Sequence, residues 1–599
     1  MRRRLGSARA ATALLALGWR SAPGPMTVCA LVATVGALAS VGYTLGFRTV
    51  IDAAERHDQH EIVFGVALIA VLFSTAWAFG ILGASRNSVL TDRINLELGG
   101  HIGRLVGSLP GLEHFERTDD LRRIDQLRAG RRSLAAGPVR LLSTGQVALR
   151  SGAVVVLLAT VYPPILVVPA FALAPALANR RARRLQQASE DELAEDRRLV
   201  EDLFVLATAP GSARELRTYG IAGAVADRHA LLGEEIRRRS LSAALRASAW
   251  EALGWIVFAA GFVGAIVALV LRAAHGHVSP GGVVMAVSLM RRAQTQVARG
   301  SDSAAGVSVS LQTAEHLRWL EDEVARADAI AAGNRAPAPN LHDGIRLEGV
   351  DFAYPGSDAL VLEGVDLHLP AGATVALVGE NGAGKSTIVK LLCGMYRPTA
   401  GALRVEGVDL GDIALTEWRG RTTATFQDYL RLQLRAGQAV GVGDLPHVDD
   451  ADAVHGALHR AGGDDVVTAL PDGLETQLGR AFGGRELSGG QWQRLALARG
   501  LMRPHPLLIV LDEPTASVDA PTERALFHRY ARAARAGAEA DGAITLLVSH
   551  RFANARTADV IVVLDQGRVV DVGAHAELIA RGGLYAELYE LQARAYRET

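Results

Sequence analysis

Along the first half of the chain, apolar residues gather in runs about as long as a bilayer core requires, roughly 20 residues. Two such runs cover residues 26–51 and 62–82, parted by a short polar loop. A third apolar region, 146–178, is interrupted at Tyr162-Pro163-Pro164, where the prolines favour a turn, so it holds two crossings. Residues 250–271 supply a fifth, and a weaker apolar run begins near Pro280 after a His275-Gly276-His277 turn. The pattern predicts six membrane helices. Residues 85–138 and 179–240 are long, charged and helix-forming in composition. They are too polar for lipid, and are predicted to carry the membrane helices onward into water, where they can meet a second domain.

Arginines cluster at Arg2 to Arg4, within 85–138, from Arg180 to Arg184 and at Arg291-Arg292. Alternating crossings put all of them on one side, and the positive-inside bias makes that side the cytosol, with both termini there. The short apolar stretch behind Arg2-Arg3-Arg4 is read as an interfacial helix rather than a cleaved export signal. A Pro, Gly and Asn-rich segment then changes the texture of the chain. The boundaries are therefore drawn as a transmembrane domain over residues 1–332, a linker over 333–343 and a second domain over 344–599 with alternating strands and helices.

Composition agrees with a membrane protein: 49% hydrophobic against 21% charged, with a positive mean hydropathy of +0.18. Basic and acidic residues balance at 63 each, so no field favours nucleic acid. Two cysteines, Cys29 and Cys393, are too few for a disulfide framework and are read as buried small hydrophobes. Of the 63 basic side chains only Lys385 and Lys390 are lysines, a bias that points to a high-GC bacterial genome.

That bias sharpens one motif. The strand-like residues 374–378 lead into Gly379-Glu380-Asn381-Gly382-Ala383-Gly384-Lys385-Ser386-Thr387, a glycine-rich loop opening a helix. Its backbone N–H groups and helix N-terminus suit a phosphate, Lys385 can reach the β and γ oxygens, and the Ser386 hydroxyl suits Mg²⁺. An arginine-rich chain keeps lysine here because a compact ammonium is needed where a planar fork does not fit. Lys390, further along the same helix, is read as a surface residue. Downstream, the apolar run 507–511 reads as a buried parallel strand ending in Asp512-Glu513. Asp512 is then placed to hold Mg²⁺ through water, and Glu513 to orient or deprotonate the attacking water. A second anion-binding turn, Leu487-Ser488-Gly489-Gly490-Gln491, precedes another helix.

With this pair of turns the chain resembles the ATP-binding cassette (ABC) family. The resemblance continues in order through Tyr354, the adenine-stacking aromatic; Gln427, the glutamine that senses Mg²⁺ and the membrane domain; Asp519, the D-loop aspartate; and His550, the switch histidine at the γ-phosphate. It implies an all-α six-helix transmembrane domain of exporter type, followed by an α/β P-loop NTPase domain with a helical subdomain. It also implies ATP and Mg²⁺ as cofactors, and a head-to-tail dimer in which Ser488 of one copy closes on ATP held by Lys385 of the other. Ser386, Gln427 and Asp512 would be the metal's protein contacts, and Glu513, Gln427 and His550 the catalytic set. Leu112-Glu113-His114-Phe115-Glu116 and Arg214-Glu215-Leu216-Arg217-Thr218-Tyr219-Gly220 resemble segments near the exporters' coupling helices.

Two departures stand out. Where many exporters carry a glutamate before the signature turn, this chain reads Leu478-Gly479-Arg480, and Ala439-Val440 replaces a common Asn-Ile pair. Arg480 is expected to pair with an acid of the intracellular loops, Glu113, Glu116 and Glu215 being the candidates.

The expected function is ATP-driven export of an amphipathic, lipid-like, drug-like or peptide or secondary-metabolite solute across a bacterial cytoplasmic membrane. The partners would be a second copy or a homologous half-transporter, the bilayer and the solute, with no nucleic acid. A non-transport ATPase of the same family is disfavoured by six apolar runs, and an importer by the fusion of both halves. Arg150, Arg291 and Arg292 lie 11 to 12 residues from the loops at Tyr162 and Pro280. At about 1.5 Å per residue this is roughly 16 to 18 Å deep, where a charge faces a cavity or a partner.

Overall fold

A computed structural model describes residues 2–171, 173–331, 333–513, 539–549 and 555–595. They form two compact units, Met1–Arg104 with Asp125–Trp319, and Leu105–Ile124 with Leu320–Thr599.

The first unit is helical throughout. In order the helices are α1 (Arg2–Ser21), α2 (Pro23–Glu55), α3 (Gln59–Ser108), α4 (Glu113–Glu116), α5 (Thr118–Ala135), α6 (Gly137–Val161), α7 (Val168–Phe171), α8 (Leu173–Glu192), α9 (Ala194–Thr208), α10 (Ala213–Thr218), α11 (Ala222–Ala274) and α12 (Pro280–Ala331). Of these, the end of α3 from Leu105, α4, the first part of α5 and the end of α12 from Leu320 belong to the second unit. Helices α3, α11 and α12 run for 50, 53 and 52 residues. At about 1.5 Å per residue each is more than twice as long as a bilayer core of about 30 Å, so their polar parts continue beyond it. Among the described residues α2, α3, α6 and α11 are long and apolar enough to cross a membrane. The fourth and sixth expected crossings are not among these, and they differ. The fourth is broken into a 3₁₀ turn over Pro163–Val167, α7 and α8, as the double proline anticipates. The sixth is one unbroken helix diluted by Arg291, Arg292, Gln294 and Gln296.

Large apolar side chains on the long helices point outward: Phe64, Phe73 and Trp77 on α3, and Leu253, Ile256 and Val263 on α11, are all exposed. Surface of this kind is what lipid covers. Inside, small residues bring backbones together. A Cβ on Gly46 would stand 2.5 Å from Ile69 Cγ1, and one on Gly65 would stand 2.7 Å from Val50 Cγ2, so α2 and α3 close on glycine. At the far end of α2, Asp52 Oδ1 accepts from Gly281 N and Oδ2 from Ser279 Oγ, both at 2.9 Å. This carboxylate satisfies an otherwise orphaned donor at the start of α12.

The second unit is α/β. An antiparallel sheet of order β2-β1-β4-β5 contains β1 (Gly344–Ala353), β2 (Leu360–Pro370), β4 (Ala400–Val405) and β5 (Val408–Asp409). A second sheet of order β10-β9-β3-β8-β7-β6 contains β3 (Thr374–Gly379), β6 (Thr422–Thr425), β7 (Leu508–Asp512), β8 (Ile544–Val548), β9 (Val560–Asp565) and β10 (Arg568–Gly573). Its strands β9, β3, β8, β7 and β6 are mutually parallel. Strands β7 and β8 are buried along their whole length, the continuous apolar pattern of a sheet covered on both faces. The helices here are α13 (Lys385–Leu392), α14 (Leu415–Gly420), α15 (Ala436–Gly441), α16 (Ala451–Ala461), α17 (Asp464–Thr468) and α18 (Gly489–Gly500), with two more over His575–Arg581 and Leu584–Ala595.

Residues of α15 to α18 form their own apolar core, centred on Val440, Leu458, Trp492 and Leu497. This is the helical subdomain. Ala439 and Val440, the second departure, lie inside it, 4% and 0% exposed.

Candidate functional site

The parallel sheet brings the sequence motifs to one edge. Leu377 is paired with Val548, Asp512 with the same Val548, and Thr425 with Leu511. Gly379, Asp512, Ser549 and, two residues past β6, Gln427 therefore all leave the sheet at its carboxyl ends, where α/β sheets take ligands.

The loop between β3 and α13 depends on backbone freedom. Gly382 and Gly384 have φ of 85° and 99°, and a Cβ on Gly384 would come within 2.6 Å of Leu362 Cδ2. Only glycine meets both demands. Lys385 is 7% exposed, and its Nζ donates to Gly379 O at 2.9 Å and Glu380 O at 2.8 Å. Burial draws its pKa down, opposed by the charges of Glu513 and Asp512. Ser386 at the first turn of α13 is exposed, whereas Thr387 is buried.

Asp512 closes β7 at 7% exposure. Its carboxyl is pushed up to about 6, first by burial and then by Glu513, with Lys385 pulling the other way and Asp428 adding to the rise. Glu513 follows with φ of 47° while its N–H is held by Val548 O at 3.0 Å. A glutamate in the left-handed region is uncommon and turns the side chain out of the strand direction. A buried carboxylate short of positive charge, a serine hydroxyl and a glutamine amide form a hard oxygen donor set, and these residues fit Mg²⁺.

The second turn is built as a helix start. Ser488 caps α18 in a capping box: its Oγ accepts from Gln491 N at 3.3 Å, and its own N donates to Gln491 Oε1 at 2.9 Å. Tyr429, from the segment after Gln427, donates to Gly489 O at 3.0 Å. Ser488 and Gly489 are exposed, presenting the amides of α18 outward. Asp519 and His550 lie outside the described residues.

One sequence reading changes, and two side chains find partners. Oγ1 of Thr387 stands 3.0 Å from the hydroxyl of Tyr354. Lys390 is not a surface residue. It is half-buried, donates to Tyr354 Oη at 3.2 Å and sits 4.9 Å from the centre of that ring. Glu116 accepts from the hydroxyl of Tyr396. Tyr396 was not singled out by sequence, and only its aromatic character next to a turn could have marked it. The cysteines are as expected, Cys29 and Cys393 both buried, with the Cys393 thiol pushed up to about 12 by burial.

Comparison with known proteins places this geometry. The ABC transporter family model matches residues 362–516. The chain is 32% identical over 416 residues to the ATP-dependent lipid A-core flippase of Bordetella avium, covering 69% of this chain and 67% of that protein. It is 31% identical over 430 residues to the flippase of the same name from Chromobacterium violaceum, covering 72% and 70%. Its fold is that of a bacterial Atm1-family ABC exporter solved with ATP bound, at a TM-score of 0.70 and 23% identity over 96% of this chain and 98% of that one. The chain belongs to the ABC transporter family: it is an ATP-hydrolysing membrane protein with the exporter fold, its membrane helices and cassette joined in one polypeptide.

Proposed function

We propose that two copies of the chain, or one copy and a homologous half-transporter, export an amphipathic, lipid-like solute across the bacterial cytoplasmic membrane by alternating access, with both termini in the cytosol. The observation that carries this reading is a cavity of about 280 Å³ between α2, α3 and α6. One part of its wall is apolar, with Val32, Phe79 and Leu142, and another is polar, with Asn87, Gln146 and Arg150. Nε of Arg150 is buried there without a hydrogen-bond partner, and a buried donor of that kind calls for one. The other two arginines differ: Arg292 lies 4.3 Å over the Tyr43 ring, and Arg291 is exposed. The relatives named lipid A-core flippases support a lipid-like solute.

The cassette roles follow the same proposal, with residues 1–332, 333–343 and 344–599 as membrane domain, linker and cassette. Tyr354 stacks on the base, the amides of residues 379–387 hold the phosphates, and Lys385 bridges the terminal two. Ser386, Asp512 and Gln427 would hold Mg²⁺, which neutralises phosphate charge when bound. Glu513 accepts the proton of the attacking water or orients it. His550 and Asp519 complete the set, and Ser488 with Gly489, Gly490 and Gln491 of the second copy closes the site.

In liposomes, a lipid-like solute is expected to stimulate ATP hydrolysis and to be moved. Arg150→Gln should lose both effects while basal hydrolysis persists. Full transport by that variant, or no stimulation by any amphipathic solute, would overturn the reading.

A further inference from the structure

Helix α13 has a second end. Its first turn follows the phosphate loop, and eight residues, about 12 Å, later it runs into Cys393, Gly394, Met395 and Tyr396. That exit is fastened to the segment around α4. Leu112 N donates to Met395 O at 3.2 Å. One Arg419 guanidinium nitrogen donates both to Gly394 O, at 2.8 Å, and to Pro110 O.

The side chains make a parallel link. Tyr396 is 4% exposed, and its hydroxyl donates to Glu116 of α4. Burial and the neighbouring Glu116 both push its pKa up, so the phenol stays a donor. Its ring meets Tyr354 edge-on, centres 5.5 Å apart at 87°, and Phe352 packs against both at 5.4 and 5.0 Å. Tyr354 is held from the other side by Thr387 and Lys390 of α13. Lys390 is one of two lysines in the chain. A compact ammonium with rotatable donors can reach the hydroxyl while standing within cation–π range of the ring. The edge-on geometry restricts the Tyr354 ring, and its hydroxyl is fixed by two partners, so its orientation follows Tyr396 and α13 together.

We propose that Tyr396 and Lys390 are positioning residues through which Glu116 of α4 sets the hold of Tyr354 on the nucleotide base. The proposal rests on Tyr354 being the base-stacking aromatic. By chain connection α4 lies between α3 and α5, so a displacement of the membrane helices would reach the nucleotide as a change in affinity rather than in the rate of chemistry.

The test uses the full chain in lipid nanodiscs, with ATP hydrolysis followed against ATP concentration and folding followed by thermal melting. Tyr354→Ala should raise KM for ATP, and Tyr354→Trp should restore it; an unchanged KM in Tyr354→Ala overturns the base-stacking role and the proposal with it. Given that rise, Tyr396→Phe and Glu116→Ala should each raise KM by about three- to tenfold with kcat within about twofold. Their double variant should be no worse than the poorer single one. Lys390→Gln should raise KM and Lys390→Arg should recover most of it. If Tyr354→Ala raises KM but Tyr396→Phe, Glu116→Ala and Lys390→Gln leave it unchanged, or lower only melting temperature and kcat, the residues are merely structural and the proposal falls while base stacking stands.

Discussion

The ammonium of Lys385 is bonded to the carbonyl oxygen of Gly379 at 2.9 Å, and so anchored to the strand end of its own loop. A second bond to Glu380 O leaves one of its three N–H donors for a phosphate oxygen. Ser488 has no such tie to the phosphate loop; its described bonds close the start of α18. The two residues should therefore serve different ATP molecules in a dimer. Neither Lys385→Ala nor Ser488→Arg alone should hydrolyse ATP appreciably. Mixed subunits should regain activity through dimers with one intact site. Mixtures as inactive as the separate variants would exclude the shared site.

Glu513 leaves β7 in a left-handed conformation beside buried Asp512, at the carboxyl end of the sheet. Glu513→Gln should still bind ATP but hydrolyse it at least ~100-fold more slowly, since removing a general base commonly costs 10² to 10⁴. Single-turnover hydrolysis with a parallel nucleotide-binding assay checks this, and turnover at the native rate would refute the role.

Asp512 carries a pH signature. Its carboxyl is raised to about 6 from an ordinary 3.8, so the fold favours the protonated form. That contribution is complete below pH 4 and is lost as pH rises through about 6. In nucleotide-free, metal-free buffer the loss should be on the order of 2 kcal/mol. Asp512→Asn should flatten this part of the stability curve and raise the melting temperature at pH 7 while abolishing hydrolysis. Melting curves between pH 4 and 7 that run parallel for both proteins would contradict the assignment.

Arg480 opens a short 3₁₀ turn of the helical subdomain and is exposed beside Phe482. Glu113, Glu116 and Glu215 are its candidate partners, Glu116 with one carboxylate oxygen already accepting from Tyr396. Arg480→Glu should lower transport several-fold while leaving ATP hydrolysis within about twofold, because an exposed pair adds little to stability. Reversal at the true partner should restore coupling. Unimpaired transport by Arg480→Glu would mark it as a solvated surface charge.

Much of this protein was legible in the order of its residues because the chemistry concerned is local. Gly382 and Gly384 permit the positive φ values of a phosphate loop, Ser488 and Gln491 form a capping box three residues apart, and the apolar run before Asp512 becomes a buried parallel strand. Apolar stretches of membrane length likewise declare helices whatever they pack against. What only the tertiary structure decided depends on residues far apart in the chain. Glu116 and Tyr396 are 280 positions apart, and no periodicity can register their contact. Lys390 reads as a surface charge on a short helix until β1 brings Tyr354 beside it. Arg150 was one of three equivalent arginines until the packing of α2, α3 and α6 left its Nε buried beside a cavity. Propensity, capping and strand burial act within a few residues, whereas the partner of a buried polar group is chosen by how separate elements pack, and that choice is written in no single stretch of sequence.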